Sequence, residues 1–399
     1  GVVAAASAGI SWQTIVTAST LTAVAGNGYW IDTTSNACTI TLPASASNGD
    51  EIMFVDYDRT WGTNGIVIDS NGLNYQSKDD TWTIEYGTDG MTLAITYMNA
   101  TQGWVPTIDE AVTDAPSKGN QEGIFGFGYS GGYKGMTNLI SNAGVVATDV
   151  TAVGTARSSP AACEYGGDKG IFGFGDTGSM TAVTNLVSNA GVVASDVTGV
   201  GTARYYLAAC SYGEDKGIFG FGNDGSATGV TNLVSNVGVV ATDTTGVGTA
   251  RENLAACEYG GDKGIFGYGH ESLSMTNLVS NAGVVGTDVT GVGTGRYGPG
   301  ACGYGYDKAI FGFGDDGSVT GVTNLVSNSG VVATDVTAVG TARRELAATQ
   351  YGGDKGIFGY GYTGSNVSMT NLVSNAGVVA TDVTGVGTAR YALAACSFN

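Results

Sequence analysis

Six copies of one sequence unit constrain the fold of this chain more than any other feature. The segment Ile-Phe-Gly-Phe/Tyr-Gly recurs every 47 residues with one step of 45, starting at Ile124, Ile171, Ile218, Ile265, Ile310 and Ile357. Such a period is typical of solenoids and propellers. The first copy lacks the Leu-Ala-Ala-Cys segment that precedes later copies, and a spare one follows the last copy at Leu393 to Cys396. The two partial units make one whole unit, which predicts that the array closes on itself.

Each unit contains four short segments rich in Val, Ile, Phe, Tyr and Thr, separated by Gly, Asn, Asp and Ser, as in strands joined by tight turns. In the copy near residue 220 they are A (Leu207 to Tyr212), B (Gly217 to Phe221), C (Thr231 to Asn236) and D (Gly238 to Val247). Each unit is therefore predicted to be a four-stranded antiparallel meander. One such sheet cannot bury its own apolar face, so six are predicted to pack in a ring with the small residues of segment A innermost.

The repeat resembles a known family. Arg204-x-x-Leu207-Ala208-Ala209-Cys210, followed by Lys216-Gly-Ile-Phe-Gly-Phe-Gly, is similar to the kelch repeat over about residues 122–399. The resemblance implies blades whose strands run in this order and a ring closed by a C-terminal strand. Kelch units usually carry a Trp near strand D, whereas all five Trp of this chain precede residue 105.

The distribution of Trp and of the repeats predicts two domains, at residues 1–106 and 122–399, joined by a polar linker at 107–121. The first domain alternates apolar and polar residues at Thr39-Ile40-Thr41-Leu42, and turns are indicated at Asn48-Gly49 and Asn64-Gly65. The predicted fold class is all-β: an N-terminal β-sandwich followed by a six-bladed β-propeller closed by the C-terminal strand.

The N-terminal sequence resembles β-modules of bacteriophage tail fibres and other phage appendages. The similarity runs from Ser11-Trp12-Gln13 through Ala23 to Tyr29, Thr39 to Ser45 and Gly49-Asp50 to Thr101-Gln102-Gly103-Trp104. It implies a virion-attachment or oligomerisation module, a location in the virion outside the cell, and other virion proteins as partners. Modules of this kind commonly form homotrimers.

Charge and composition exclude several classes of function. The net charge is -19, so no basic surface is expected to bind nucleic acid. No apolar run approaches about 18 residues and no charged segment precedes Gly1, so neither a membrane span nor a signal peptide is predicted. The missing initiator Met suggests a fragment or a processed form. Five of the six cysteines recur at one place in segment A and are interpreted as small buried residues, the alternatives being disulfides or metal ligands.

The residues for catalysis are scarce, so no enzymatic activity, no cofactor and no metal are predicted. His270 is the only histidine, which leaves copper sites and repeated Ser-His-Asp triads without their imidazoles. The loops at Asp176, Asn223 and Asp315 are similar to the Asp box of sialidases but lack its closing aromatic residue, and Asx turns explain them more simply. Ca²⁺ remains an alternative there, although no loop offers about six oxygen ligands in sequence.

One Asp and one Arg recur in every unit and are predicted to stabilise the scaffold, because a residue present in all copies serves something that all copies share. The Asp positions are Asp149, Asp196, Asp243, Asp288, Asp335 and Asp382, and the Arg positions are Arg157, Arg204, Arg251, Arg296, Arg343 and Arg390.

Two segments of the unit differ between copies, one after strand B and one just after the Arg. In an antiparallel meander both lie at the same end of the sheet, so the sequence predicts one diversified face on a constant frame. We call it the variable face. Its candidate ligand-binding residues are Tyr129, Tyr133, Asp176, Tyr205, Tyr206, Asn223, Asp224, His270, Glu271, Tyr297, Asp315, Asp316, Arg344, Glu345, Tyr362 and Tyr391.

This composition suits the binding of sugars or protein surfaces, and the alternative is drift in unconstrained loops. The leading hypothesis is a phage virion appendage, a tail-fibre or spike protein whose propeller binds a host-surface glycan or protein. The alternatives are a structural or decoration protein of a capsid or cell surface and, with the least support, a carbohydrate-active enzyme.

Overall fold

The computed structural model describes residues 9–82, 84–111, 121–151, 153–337 and 339–398, and this part of the chain is all-β with many small sheets. The chain divides into two compact units, residues 1–117 and 118–399. In the first unit the strands are β1 (Ser11–Trp12), β2 (Thr20–Thr22), β3 (Asn27–Ile31), β4 (Cys38–Thr41), β5 (Glu51–Asp56), β6 (Ile66–Asp69), β7 (Ile84–Tyr86), β8 (Met91–Asn99) and β9 (Gly103–Ala111).

The first unit contains two mixed sheets, with strand orders β1-β3-β5-β8-β9 and β2-β4-β6-β7. From β1 to β6 the chain alternates between the two sheets. Strands β1, β3 and β5 are therefore parallel neighbours in the first sheet, and β2, β4 and β6 are parallel neighbours in the second. The predicted turn at Asn48-Gly49 is present, with Gly49 at φ 88°. It lies between β4 and β5 of different sheets, because parallel neighbours cannot be joined by a tight hairpin.

One hydrophobic core is shared by both sheets. The predicted alternation is confirmed in β4, where Cys38 and Ile40 are fully buried and the intervening Thr39 is exposed. Trp61 and Trp104 are also buried in this core. Strand β9 continues to Ala111, so residues 107–111 belong to a strand and not to the predicted linker. Residues 112–120 of that linker lie outside the described part of the chain.

The second unit contains six three-stranded sheets and one short 3₁₀ turn (His270–Ser272). The strands are β10 (Glu122–Gly126), β11 (Thr137–Ile140), β12 (Ala161–Tyr165), β13 (Lys169–Asp176), β14 (Met180–Val187), β15 (Ala208–Tyr212), β16 (Lys216–Gly220), β17 (Thr231–Val234), β18 (Ala255–Tyr259), β19 (Lys263–Gly269), β20 (Leu273–Val279), β21 (Gly300–Tyr304), β22 (Lys308–Asp315), β23 (Val319–Val326), β24 (Ala347–Tyr351), β25 (Lys355–Tyr362), β26 (Asn366–Val373) and β27 (Ala394–Phe398).

Segments A, B and C of the repeat form these strands as predicted, and segment D does not. The turn between A and B is a three-residue loop whose first two residues have positive φ, as at Gly166 (64°) and Gly167 (74°) between the paired Tyr165 and Lys169. Segment D makes only isolated bridges to C, such as Val234 with Val240 and Thr231 with Thr244. Between these bridges the Asn232 side chain donates to the Ala241 carbonyl at 3.0 Å, so a side-chain amide takes the place of a continuous backbone ladder.

The sheet of the first repeat is completed from the other end of the repeat array. Strand β27 pairs antiparallel with β10, with Ile124 opposite Cys396 and Gly126 opposite Ala394. The other five sheets take all three strands from consecutive segments, in the orders β12-β13-β14, β15-β16-β17, β18-β19-β20, β21-β22-β23 and β24-β25-β26.

Neighbouring repeats interlock in strand B. The Phe172 ring lies over Gly126 of the preceding repeat, where an added Cβ would be 2.7 Å from the ring, so only glycine fits. The same contact recurs between successive repeats, and Phe125 of the first repeat lies over Gly359 of the sixth. The A strands contact one another in the order β12, β15, β18, β21, β24 and β27, and β27 also contacts β12.

The recurring Arg and Asp join neighbouring repeats, as predicted for scaffold residues. Arg204 is fully buried, and its guanidinium lies 4.4 Å from the ring centroid of Phe174 in the preceding repeat. It donates to the Phe221 carbonyl at 2.8 Å and to Asn232 at 2.7 Å. Asp243 accepts hydrogen bonds from the backbone and hydroxyl of Thr202. Arg390 makes the same contacts with Phe127 and Asn138, which links the sixth repeat to the first.

The six cysteines, Cys38, Cys163, Cys210, Cys257, Cys302 and Cys396, are buried free thiols. In four of the repeats the cysteine sulfur fills the space beside the first glycine of strand B in a neighbouring repeat, as Cys163 does at Gly217. Among the described residues, no helix has the length and apolar character needed to cross a membrane.

Candidate functional site

The two variable segments of each repeat lie side by side. The residue that follows the buried Arg pairs with a residue at the end of strand B or just beyond it, as Arg344 with Tyr362 and Tyr205 with Asn223. In the fourth repeat the His270 amide donates to the Glu252 carbonyl at 2.8 Å. Strand B runs from the A–B turn to this point, so the variable face lies at the end of each sheet away from that turn.

Backbone hydrogen bonds connect the second residue after each Arg to its counterpart in the next repeat. The N–H of Asn253 donates to Tyr206, Gly298 to Asn253, Glu345 to Gly298, Ala392 to Glu345 and Ser159 to Ala392, at 2.8–2.9 Å. These six residues all have positive φ, between 50° and 60°. That conformation is costly for Tyr, Glu and Ala, and such strain is found most often at functional sites.

These positions surround a small pocket of about 70 Å³ on the variable face. Its apolar walls come from the residue that begins each A segment, which is Leu in four repeats and Pro in two. Its polar groups come from the positions with positive φ. The lining residues are Ser159, Pro160, Tyr206, Leu207, Asn253, Leu254, Gly298, Pro299, Glu345, Leu346, Ala392 and Leu393. We call it the axial pocket.

A chain of aromatic contacts crosses part of the variable face. Tyr129 lies 5.7 Å from Tyr133 and 5.8 Å from Tyr391, measured between ring centroids, and Tyr391 lies 5.4 Å from Tyr362. The Arg344 guanidinium continues the chain, 5.5 Å from the ring centroid of Tyr362. Tyrosines presented on a rigid frame can stack on apolar faces of a ligand and hydrogen-bond at the same time.

Arg344 is held by its neighbours on the same face. Its Nη1 lies 2.7 Å from the Asp315 carboxylate and donates to the Tyr297 hydroxyl at 2.6 Å. Burial alone would lower the pKa of Arg344, but Tyr297 and Asp315 outweigh it and raise that pKa, so the side chain stays charged. The ring of Tyr297 in turn lies 5.9 Å from that of His270.

Glu345, the next residue, is an unusual carboxylate. Burial raises the pKa of Glu345. Arg344 lowers this pKa by less than burial raises it, and Asp315 raises it further. The Oε1 atom lies 3.9 Å from Arg344 Nε, while Oε2 is buried without a hydrogen-bond partner. Burying a polar atom without a partner is costly, so a donor supplied from outside would be bound favourably here.

Most of the predicted candidates on the variable face are only partly exposed. His270, Glu271 and Asp316 are exposed. Asp315 is buried because it forms the ion pair with Arg344. The remaining candidates are half-buried because they pack on one another: Tyr129, Tyr133, Asp176, Tyr205, Tyr206, Asn223, Asp224, Tyr297, Arg344, Glu345, Tyr362 and Tyr391.

The predicted Asx turns are present in the acidic loops. The side chains of Asp176, Asn223 and Asp315 accept hydrogen bonds from the glycine amides two residues later, at 2.9, 2.9 and 3.0 Å. Asp176 also accepts from the Tyr133 hydroxyl of the neighbouring repeat at 2.9 Å. These side chains therefore fix the loops of the variable face.

A second cavity, of about 40 Å³, is lined by the middle residues of all six A strands. Glu164 accepts from Ser211 at 2.7 Å and also from Ser397. Burial, reinforced by Glu164, raises the pKa of Glu258 well above its ordinary value. Loop variation alone does not point to these residues, because they lie within strands; the signal for them is that the position after the recurring Cys varies between copies, as Glu164, Ser211, Glu258, Gly303, Gln350 and Ser397.

The described residues contain no group of three or more His, Cys, Asp or Glu side chains arranged to hold a metal ion. Comparison with known proteins adds no family to this geometry: no protein-family model matches the chain, and no curated protein matches it.

Proposed function

We propose that this protein is a receptor-binding appendage of a phage virion. In this proposal the six repeat sheets are the blades of a β-propeller closed by β27, and the two N-terminal sheets form a sandwich that attaches the protein to other virion proteins. The observation that carries the proposal is the pairing of variable segments: differing residues of six repeats share one face of a constant frame. Such diversification of loops on a rigid scaffold is typical of binding surfaces.

The frame supports recognition because a set of contacts that joins its repeats does not involve the variable side chains. Arg204, Asn232 and Asp243 and their counterparts join neighbouring repeats beneath the face, so side chains above can differ without altering the packing. The Tyr cluster offers stacking surfaces with polar ends, which suits a glycan or a protein receptor. Binding should need little rearrangement, since the loops are fixed by Asx turns and by inter-repeat hydrogen bonds.

The test is adsorption of labelled full-length protein to a panel of bacterial strains, with variants at the two ends of the sheets. Tyr391→Ala and Tyr362→Ala should each weaken adsorption at least about tenfold, equivalent to about 1.4 kcal/mol, as for aromatic residues central to an interface. The matched controls are Asp262→Ala and Lys263→Ala in the A–B turn. Their ion pair is on the surface, so both adsorption and melting temperature should be unchanged.

Equal loss of adsorption from both sets of variants, or no loss from either, would reject recognition through the variable face. The protein would then fit a structural or decoration role, in which the repeat domain is a spacer.

A further inference from the structure

The axial pocket has apolar walls that repeat from one unit to the next, and two large polar side chains line it. Four of the six positions with positive φ carry small side chains or an amide: Ser159, Asn253, Gly298 and Ala392. The other two carry Tyr206 and Glu345, at φ 53° and 50°. Glycine or asparagine would adopt this conformation at lower cost, so the strained Tyr and Glu indicate a role beyond folding.

Tyr206 and Glu345 lie on opposite sides of the pocket. Backbone hydrogen bonds run from Asn253 to Tyr206, from Gly298 to Asn253 and from Glu345 to Gly298. Tyr206 and Glu345 are therefore separated by three of these inter-repeat hydrogen bonds among the six positions with positive φ. The Tyr206 ring is held by Tyr205, 4.8 Å away between centroids. A ligand in the pocket therefore contacts an aromatic ring on one side and a carboxylate on the other.

The charges around the pocket favour a cationic ligand. Glu345 Oε2 is buried without a partner and can accept a hydrogen bond. The nearest cation, Arg344, is held through its Nη1 by Asp315 and Tyr297, and its Nε lies 3.9 Å from the other carboxylate oxygen of Glu345. The net charge of -19 attracts cations and repels anions at longer range.

We propose that the axial pocket binds the protonated amino group of an amino sugar, which donates to Glu345 Oε2 while the Tyr206 ring contacts the ammonium or the sugar ring. Ammonium groups bind to aromatic faces through cation–π attraction, and apolar faces of pyranose rings pack on Tyr, Leu and Pro. The inference rests on the proposed function and gives the ligand class for the same face.

A sugar is favoured over a lysine side chain by what surrounds the pocket. Ala392 lines the pocket and directly follows Tyr391, which contacts Tyr129 and Tyr362. An oligosaccharide with one unit in the pocket can therefore stack its next units on this line of rings. A peptide would present only one ammonium-bearing side chain and would not use the successive ring surfaces in this way.

The test compares a tetramer of β-1,4-linked glucosamine with its fully N-acetylated counterpart, titrated into full-length protein at pH 6.5 and followed by calorimetry. Acetylation removes the positive charge but preserves the sugar ring and the linkage. We expect the free amine to bind at least tenfold more tightly. Glu345→Gln should remove this preference, whereas the control Glu214→Gln, at an exposed glutamate with positive φ in an A–B turn away from the variable face, should retain it.

A second pair of variants keeps the test valid if Glu345→Gln lowers stability. Tyr206→Phe should preserve amine binding, because the ring remains, and Tyr206→Ala should weaken it at least fivefold. Equal affinity for both tetramers, an unchanged preference in Glu345→Gln, or binding of oligolysine in place of the amino sugar would each overturn the proposal. Adsorption to cells without any amine preference would reject this inference alone, whereas amine-selective binding without adsorption to any strain would reject the appendage function alone.

Discussion

Each buried arginine of the repeat domain holds two repeats together through its planar guanidinium. Arg204 uses one nitrogen for the Phe221 carbonyl, one for the Thr202 carbonyl and one for Asn232, while its flat face lies on Phe174. Burial lowers its pKa to about 10, and Asp243 limits that shift, so the side chain is still protonated at neutral pH. A lysine cannot reproduce this fork of donors or the stacking.

We therefore expect Arg204→Lys to lower the free energy of unfolding by about 3 kcal/mol, since it leaves buried acceptors without donors. Urea denaturation followed by tyrosine fluorescence measures the loss. The control is Lys216→Arg in the A–B turn, a partly exposed ion pair with Asp215, which should change stability by less than about 0.5 kcal/mol. A matching small effect at Arg204 would show that packing of the sheets, and not this network, holds the repeats together.

Among the strands of the repeat domain, β27 is the one whose loss has the clearest expected effect on stability. It supplies one edge of the first sheet through its pairing with β10 and contacts both β24 and β12. Without it, β10 would expose an unpaired edge and the neighbouring repeats would lose buried contacts such as those of Cys396 and Phe398.

Deletion of residues 391–399 should lower the free energy of unfolding by about 2–5 kcal/mol, on the scale of large truncations in a core. Chemical denaturation of the truncated and full-length proteins provides the comparison. A synthetic peptide of residues 391–398 should bind the truncated protein and restore part of the loss. A truncated protein as stable as the full chain would rule out a structural role for this strand.

Elements A, B and C were predictable because alternation, β-branched residues and turn signals all occur within a few residues of one another. Segment D has the same composition, but it makes only isolated bridges to C, and the Asn232 side chain bonds to Ala241 and Asp243 between them, contacts that composition does not reveal. In the first unit, alternation predicted which residues of β4 are buried. It could not predict the parallel order of the sheets, because both pairings need the same alternation.

The candidate site was predictable to a similar degree. Its position on one face follows from the meander and needs only the strand order. The burial of Asp315 depends on Arg344 of the next repeat, and the orientation of Glu345 depends on a backbone conformation unusual for Glu. These contacts join residues of different repeats. Comparison of the repeat sequences shows which positions vary but does not show which varying residues touch each other.

For the whole molecule, six copies of one carboxylate make the response to acid cooperative. For Asp196, burial opposes ionisation, but hydrogen bonds from Thr155 and Asn185 outweigh it and lower the pKa below 3.8. The same holds for its five counterparts at Asp149, Asp243, Asp288, Asp335 and Asp382. A lowered pKa in the folded state adds stability above the pKa of the unfolded chain, and this stability is lost as the pH falls through the folded value.

The repeat domain should therefore lose stability steeply below about pH 4, where unfolded aspartates begin to bind protons. Buried Glu258 and Glu345 act in the opposite sense, because their raised pKa values make the folded state bind protons first. Melting temperatures between pH 2 and 7 measure the balance. Asp196→Asn should reduce the acid slope, whereas Asp316→Asn, at an exposed position, should not. A stability that rises throughout acidification would contradict the dominance of the six aspartates.

The pairing of β10 with β27 also has a consequence for biosynthesis. Phe127 and Arg390, which bond to each other, are 263 residues apart, so the first sheet stays incomplete until almost the whole repeat array has left the ribosome. Contacts this distant in sequence form slowly, and a nascent chain keeps the β10 edge unpaired meanwhile. A β27 strand from a second chain can occupy that edge equally well, which makes exchange of this strand between crowded nascent chains the characteristic misassembly of this molecule.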